Sequence, residues 1–193
     1  MKMFFKRIGA FLIDCTILYF AITLVGIFVP VSSSVNDLSE KTMDIMDKYV
    51  NQEVSADKFI EETNNLNYEI SKATYLNSIV GIVIYILYFV VYQSYNNGQT
   101  LGKKWLKLRV CKEDGTSLGI NDLLLRALIP YGLFANILSL ILLLVLNKSM
   151  YISVSGLISN VHLFVIVGTL ILMAFKNKGL HDMLAKTKVE HVG

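Results

Sequence analysis

The chain has 193 residues, 54% of them hydrophobic and only 17% charged, with a formal net charge of +3. A soluble domain carries about a quarter charged residues, so this deficit and a mean hydropathy of +0.53 exclude an ordinary globular protein and point to a polytopic membrane protein. Cys15 and Cys111 form no CxxC motif and the three histidines are scattered, so no cofactor or metal site is expected, and nothing suggests nucleic acid or an enzyme's nucleophile–base pair.

In chain order, residues 1–31 hold the N-terminus and the first span, RIGAFLIDCTILYFAITLVGIFVP from Arg7 to Pro30. Its basic flank would suit a signal peptide. The apolar stretch is too long for one, Asp14 interrupts it and no A-x-A site follows, so it reads as retained. A carboxylate inside a span is costly, faces the bundle interior, and marks a working site with a partner. Arg7 stands two turns earlier on nearly the same face, about 10 Å away along the axis.

Residues 32–73 change character, with nine acids against four lysines. Apolar positions Met43, Met46 and Val50, then Phe59, Ile60, Leu66 and Ile70, suit short amphipathic helices, and Ser55 is a plausible helix start. Residues 74–93 form the second span. Its tyrosines 85, 88 and 92 lie at i, i+3, i+7, a stripe that reads as packing and interfacial anchoring.

The loop 94–122 gathers Lys103, Lys104, Lys107, Arg109 and Lys112. GQTLGKK fails as a phosphate loop: its glycines are one residue too close, and Lys104 replaces the Ser/Thr. A short interfacial helix around Trp105 is expected, then a β-hairpin, since Lys107 to Val110 alternates and Glu113–Thr116 supplies a turn. The basic cluster is topogenic and lipid-attracting.

The third span, 123–146, carries Arg126 and a bend at Pro130. A turn at 147–150 leads to the fourth span, 151–175, and then to the basic tail 176–193. The basic residues fall in the N-terminus, the 94–122 loop and the tail, so the positive-inside rule places all three in the cytoplasm. The expected architecture is an all-α transmembrane four-helix bundle with both termini cytoplasmic. A helical acidic extracellular insert and a short cytoplasmic β-hairpin complete it.

With this topology Asp14 and Arg126 reach similar depths, and an Asp14–Arg126 or an Asp14–Arg7 pair would remove most of the burial penalty. Asn136 and His162, equidistant from residue 149, form a second polar pair that can simply hold helices together.

Several residues together resemble the RDD family of mainly bacterial membrane proteins. They are Arg7 and Asp14, the series Gly98-Gln99-Thr100-Leu101-Gly102-Lys103 with Leu108-Arg109-Val110 and Asp114-Gly115, and Gly179-Leu180-His181-Asp182 with Leu184-Ala185 and Thr187. The resemblance covers 4–31 and about 76–190, and leaves the 32–73 insert longer than expected. It implies a multi-pass protein of the bacterial plasma membrane that transports ions or small solutes. Asp14 would be the ion or proton site, with Arg7 and Arg126 setting its charge state. Asp182, otherwise an ordinary tail acid, would be the second family aspartate, with its Leu180-His181-Asp182 segment docked under the helices.

The expected partners are the lipid bilayer and a monovalent cation or proton. Four helices make a thin wall for alternating access and no inverted repeat is visible, a gap that a homo-oligomer would fill. The other class of function is a non-transporting module that binds or regulates another membrane protein or lipid through the insert or the basic loop.

Overall fold

The computed structural model describes residues 2–29 and 33–192. In chain order the elements are α1 (Lys2–Gly26), α2 (Ser34–Val50), α3 (Ala56–Ala73) and α4 (Tyr75–Tyr95). Then come α5 (Leu101–Trp105), β1 (Leu108–Lys112), α6 (Ile120–Ala127) and α7 (Leu133–Val145). The chain closes with α8 (Lys148–Lys176), α9 (Leu180–Leu184) and β2 (Thr187–His191). The expected span boundary at residue 31 lies outside the described residues.

Among the described residues α1, α4 and α8 are long and apolar enough to cross a membrane. The segment read as a single bent third span is divided. Pro130 cannot donate a backbone hydrogen bond, α6 stops at Ala127, and Gly132 takes a positive φ of 63° before α7 starts. The 13 residues of α7 reach about 20 Å, short of a hydrocarbon core of about 30 Å.

Local chemistry places the helix starts. Ser55 Oγ accepts from the Lys58 amide at the head of α3, Thr100 Oγ1 from Lys103 at α5, and Asn147 Oδ1 from Met150 at α8, each satisfying an amide that the helix leaves unpaired. The insert is a helical hairpin: Tyr49 of α2 stacks on Phe59 of α3 with ring centroids 4.4 Å apart. Tyr68 packs on Tyr151, and Glu69 meets Lys148 at 3.0 Å, which ties the hairpin to the start of α8.

The expected β-hairpin is not formed. β1 pairs antiparallel with β2 near the C-terminus, Val110 opposite Val189 and Arg109 opposite Glu190. The turn does exist, with Gly115 at φ 76° and Asp114 Oδ1 accepting from Thr116. The chain beyond it cannot become a strand because Asp122 captures the Gly119 amide at 2.9 Å and starts α6. The vacant edge of β1 is taken by the tail.

The apolar core joins Leu18 of α1, Phe89 and Val90 of α4, Val110, Leu123 and Ala127 of α6, and Leu133 of α7. Leu18 follows Asp14 by one turn on the buried face of α1, so this core adjoins the polar residues where the start of α1, the end of α8, the 96–119 loop and the sheet meet.

Candidate functional site

The buried face of α1 is Arg7, Ala10, Asp14 and Leu18, a helical stripe that carries one cation and one acid inward. The two do not pair. Asp14 is 0% exposed and accepts three hydrogen bonds, all from uncharged donors. Tyr88 Oη donates to Oδ1 at 2.6 Å, the Gly102 amide to Oδ1 at 2.8 Å, and Thr100 Oγ1 to Oδ2 at 2.6 Å.

Three local features build this cradle. Thr100 caps α5 by accepting from the Lys103 amide, and the Gly102 amide in the same first turn is left to donate to the carboxylate. Gly102 lets the backbones touch, since a Cβ there would collide with the Ala10 carbonyl oxygen and approach Asp14 Oδ1 to 2.9 Å. Tyr88 sits in a π-helical stretch of α4, Leu87–Tyr92, a local widening often found at functional sites. Its hydroxyl also accepts from the Leu101 amide at 3.1 Å.

The arginines belong to the other acid. Arg7 Nη2 donates to Asp182 Oδ2 at 2.5 Å, Arg126 Nη1 donates to Asp182 Oδ1, and the Gly179 amide adds a bond to Oδ2 at 2.8 Å. Arg7 Nη1 also donates to the Asn177 carbonyl at 2.8 Å, and Arg126 Nη1 to Thr187 Oγ1 at 2.5 Å. The expected Asp14–arginine pairs are therefore replaced by an Arg7–Asp182–Arg126 bridge. The reason is tertiary: α9 docks Asp182, 0% exposed, between the two guanidinium groups, and one carboxylate cannot outcompete another that is closer. Burial alone would raise the Asp182 pKa. Arg126 first, with His181 and Arg7, outweighs it and holds the group well below the usual carboxylate range.

His181 faces Arg7, with Nε2 3.2 Å from Nη2. Arginine only donates, so Nε2 accepts and the ring proton is assigned to Nδ1, which has no partner among the described residues. Burial, then the Arg126 charge, pushes the His181 pKa down to about 3. Lys103 Nζ donates to Thr100 Oγ1 at 3.4 Å. Desolvation is the main reason its pKa falls to about 8, countered first by Asp14 and helped by Arg126 and Arg7.

Arg7, Asp14, Lys103, Arg126 and His181 all line one cavity of about 370 Å³. The other motif residues shape its surroundings. Gly98, at φ 77°, brings its carbonyl to Gln93 Nε2 and the Val110 amide, and Gln99 Nε2 donates to the Leu108 carbonyl at 2.7 Å. Arg109 is outside the site, on β1, 3.6 Å from Glu190. Asn136 and His162 line a separate cavity beside Gly132, and no hydrogen bond joins their side chains among the described residues.

Sequence reasoning passed over Tyr88 as a site residue, because its i, i+3, i+7 stripe matches ordinary packing. It named Thr100 and Gly102 only as motif residues, and no signal in the chain tied them to Asp14. No curated protein and no solved structure matches the chain. A family model does match, over residues 2–186, and the chain belongs to the RDD family.

Proposed function

We propose that this membrane protein carries small ions or solutes, in its simplest form as a cation/proton exchanger, with Asp14 as the group that holds the proton or ion. One observation carries the reading: of the two fully buried acids, Asp14 alone is held by neutral donors, while Asp182 is committed to two arginines. A hydroxyl both donates and accepts, so Thr100 and Tyr88 suit either charge state of Asp14, as a guanidinium does not. Lys103 Nζ, Thr100 Oγ1 and Asp14 Oδ2 form a hydrogen-bonded line. A proton leaving the ammonium for Thr100 while the Thr100 proton passes to Oδ2 leaves a neutral amine and a neutral acid. The Arg7–Asp182–Arg126 bridge is the fixed frame.

In this reading the chain crosses the bacterial plasma membrane four times, α6 and α7 forming a broken third crossing. Both termini are cytoplasmic, the insert is extracellular, and a second copy completes the wall. The test is flux in proteoliposomes under cation and pH gradients. Asp14→Asn is expected to abolish flux with the thermal midpoint kept within a few degrees.

A second reading, a non-transporting module, is favoured by the saturation of Asp182, whose bonds tie the tail to the helices. Wild-type protein that moves no ion under any imposed gradient would overturn carriage and leave this reading.

A further inference from the structure

The cationic groups around the large cavity outnumber the acids. Arg7 and Arg126 are both engaged by Asp182, whereas Lys103 has no carboxylate within ion-pair distance among the described residues. Among the described residues its ammonium donates only to the Thr100 hydroxyl. Three cations therefore face two carboxylates, Asp14 and Asp182, and one positive charge is uncompensated. A buried surplus charge is costly unless something of opposite sign joins it.

The rest of the wall says what that something would be. Away from Lys103 the cavity is lined by Ile8 and Leu12 of α1 and by Ile166 and Leu170 of α8. Leu12, 58% exposed, and Leu170, 40% exposed, form a rim on the surface that the bilayer covers. Two further lining residues, Thr169 and His181, each carry a buried polar atom without a partner among the described residues, Oγ1 and Nδ1. The cavity thus has a cationic end and an apolar trough leading to lipid. It lies near the start of α1, with Lys2 and Lys6, and the end of α8, with Lys176 and then Lys178 just beyond it, where anionic headgroups concentrate around basic residues.

We infer that the cavity seats an amphiphile with an anionic head, the phosphate or carboxylate against Lys103 and the apolar body along Ile8, Leu12, Ile166 and Leu170. The site goes beyond ion carriage and does not depend on it, because binding is read without any gradient.

Native mass spectrometry of the full chain released from detergent tests this, comparing phosphatidylglycerol with phosphatidylcholine of identical acyl chains. One phosphatidylglycerol per chain is expected, held about tenfold more tightly than phosphatidylcholine, the effect of one charge-assisted contact. Lys103→Gln should erase that preference and Lys103→Arg should keep it. Ile166→Trp, which fills the trough and leaves every charge in place, should weaken retention of phosphatidylglycerol. Inorganic phosphate decides the source of the anion: failure to displace the lipid supports the amphiphile, and full displacement at millimolar concentration assigns the seat to a free anion and overturns it. Equal retention of both lipids, or a preference that Lys103→Gln leaves intact, also overturns the inference.

Discussion

Asp14 and Asp182 solve one problem by opposite means. Asp182 meets its burial cost with two guanidinium groups, an arrangement that holds its charge, and Asp14 does so with two hydroxyls and an amide. The Asp182 arrangement has a consequence at the histidine beside it. An unfolded histidine titrates near 6.5, whereas His181, desolvated and facing Arg7, Lys103, Arg126 and Asp182, has a pKa of about 3. Between those values the unfolded chain takes up a proton that the folded ring refuses, so stability is lost as pH falls through that window. At pH 5 the loss is about 2 kcal/mol relative to pH 7.5. Asp182, whose pKa is depressed, loses its own contribution only below the unfolded carboxylate value of about 3.9, so at pH 5 the loss is the histidine's. Thermal unfolding of the detergent-solubilised protein at pH 7.5 and pH 5 should show this drop in wild type and little of it in His181→Gln. An equal drop in both would remove His181 as its source.

At the scale of elements, the decisive contact is α5 lying on α1. Gly102 makes it possible, and Gly102→Ala would push a methyl group into the Ala10 carbonyl and the Asp14 carboxyl. Overpacking of this kind costs about 1–3 kcal/mol, and each kcal/mol lowers the midpoint of a chain this size by about 2–4 °C. Gly81→Ala is the control, since nothing lies within 4 Å of its Cβ, and it should melt at or slightly above the wild-type temperature. Both measured by light scattering on heating, a Gly102→Ala midpoint equal to that of Gly81→Ala would show that the close approach is not needed. The same elements show what was legible beforehand. Arg7, Asp14, Arg126 and Asp182 all stand out in the chain, because charge in or beside an apolar run is visible without coordinates. Their pairing is not, since helical rise fixes depth along a span but not which neighbour a docked tail will bring. The alternation in β1 was likewise readable, whereas its partner strand lies 79 residues away, Val189 opposite Val110. Tyr88 was hidden because a π-helical turn has no signature in spacing.

For the molecule as a whole, polarity is sorted by end. The start of α1, the 96–119 loop, the sheet and the tail share one end through Arg7, Asp182, Thr187 and the β1–β2 pairing. The acidic hairpin is tied to the other end through Glu69 and Tyr68. An even number of crossings places a start and a finish on one face, so the broken α6–α7 segment must count as one crossing if both termini are cytoplasmic. Three crossings would put the tail opposite the N-terminus, and the Arg7–Asp182 contact could not form. Sidedness is open to direct labelling in a Cys15→Ser, Cys111→Ser background. Glu53→Cys, at the exposed tip of the hairpin, should react with a membrane-impermeant maleimide added to intact cells. Lys104→Cys, exposed on α5, should react only after the membrane is opened. Labelling of Lys104→Cys in intact cells would invert the proposed orientation, and labelling of both positions from outside would put the hairpin and the basic loop on one face, which no arrangement with α4 as a complete crossing permits.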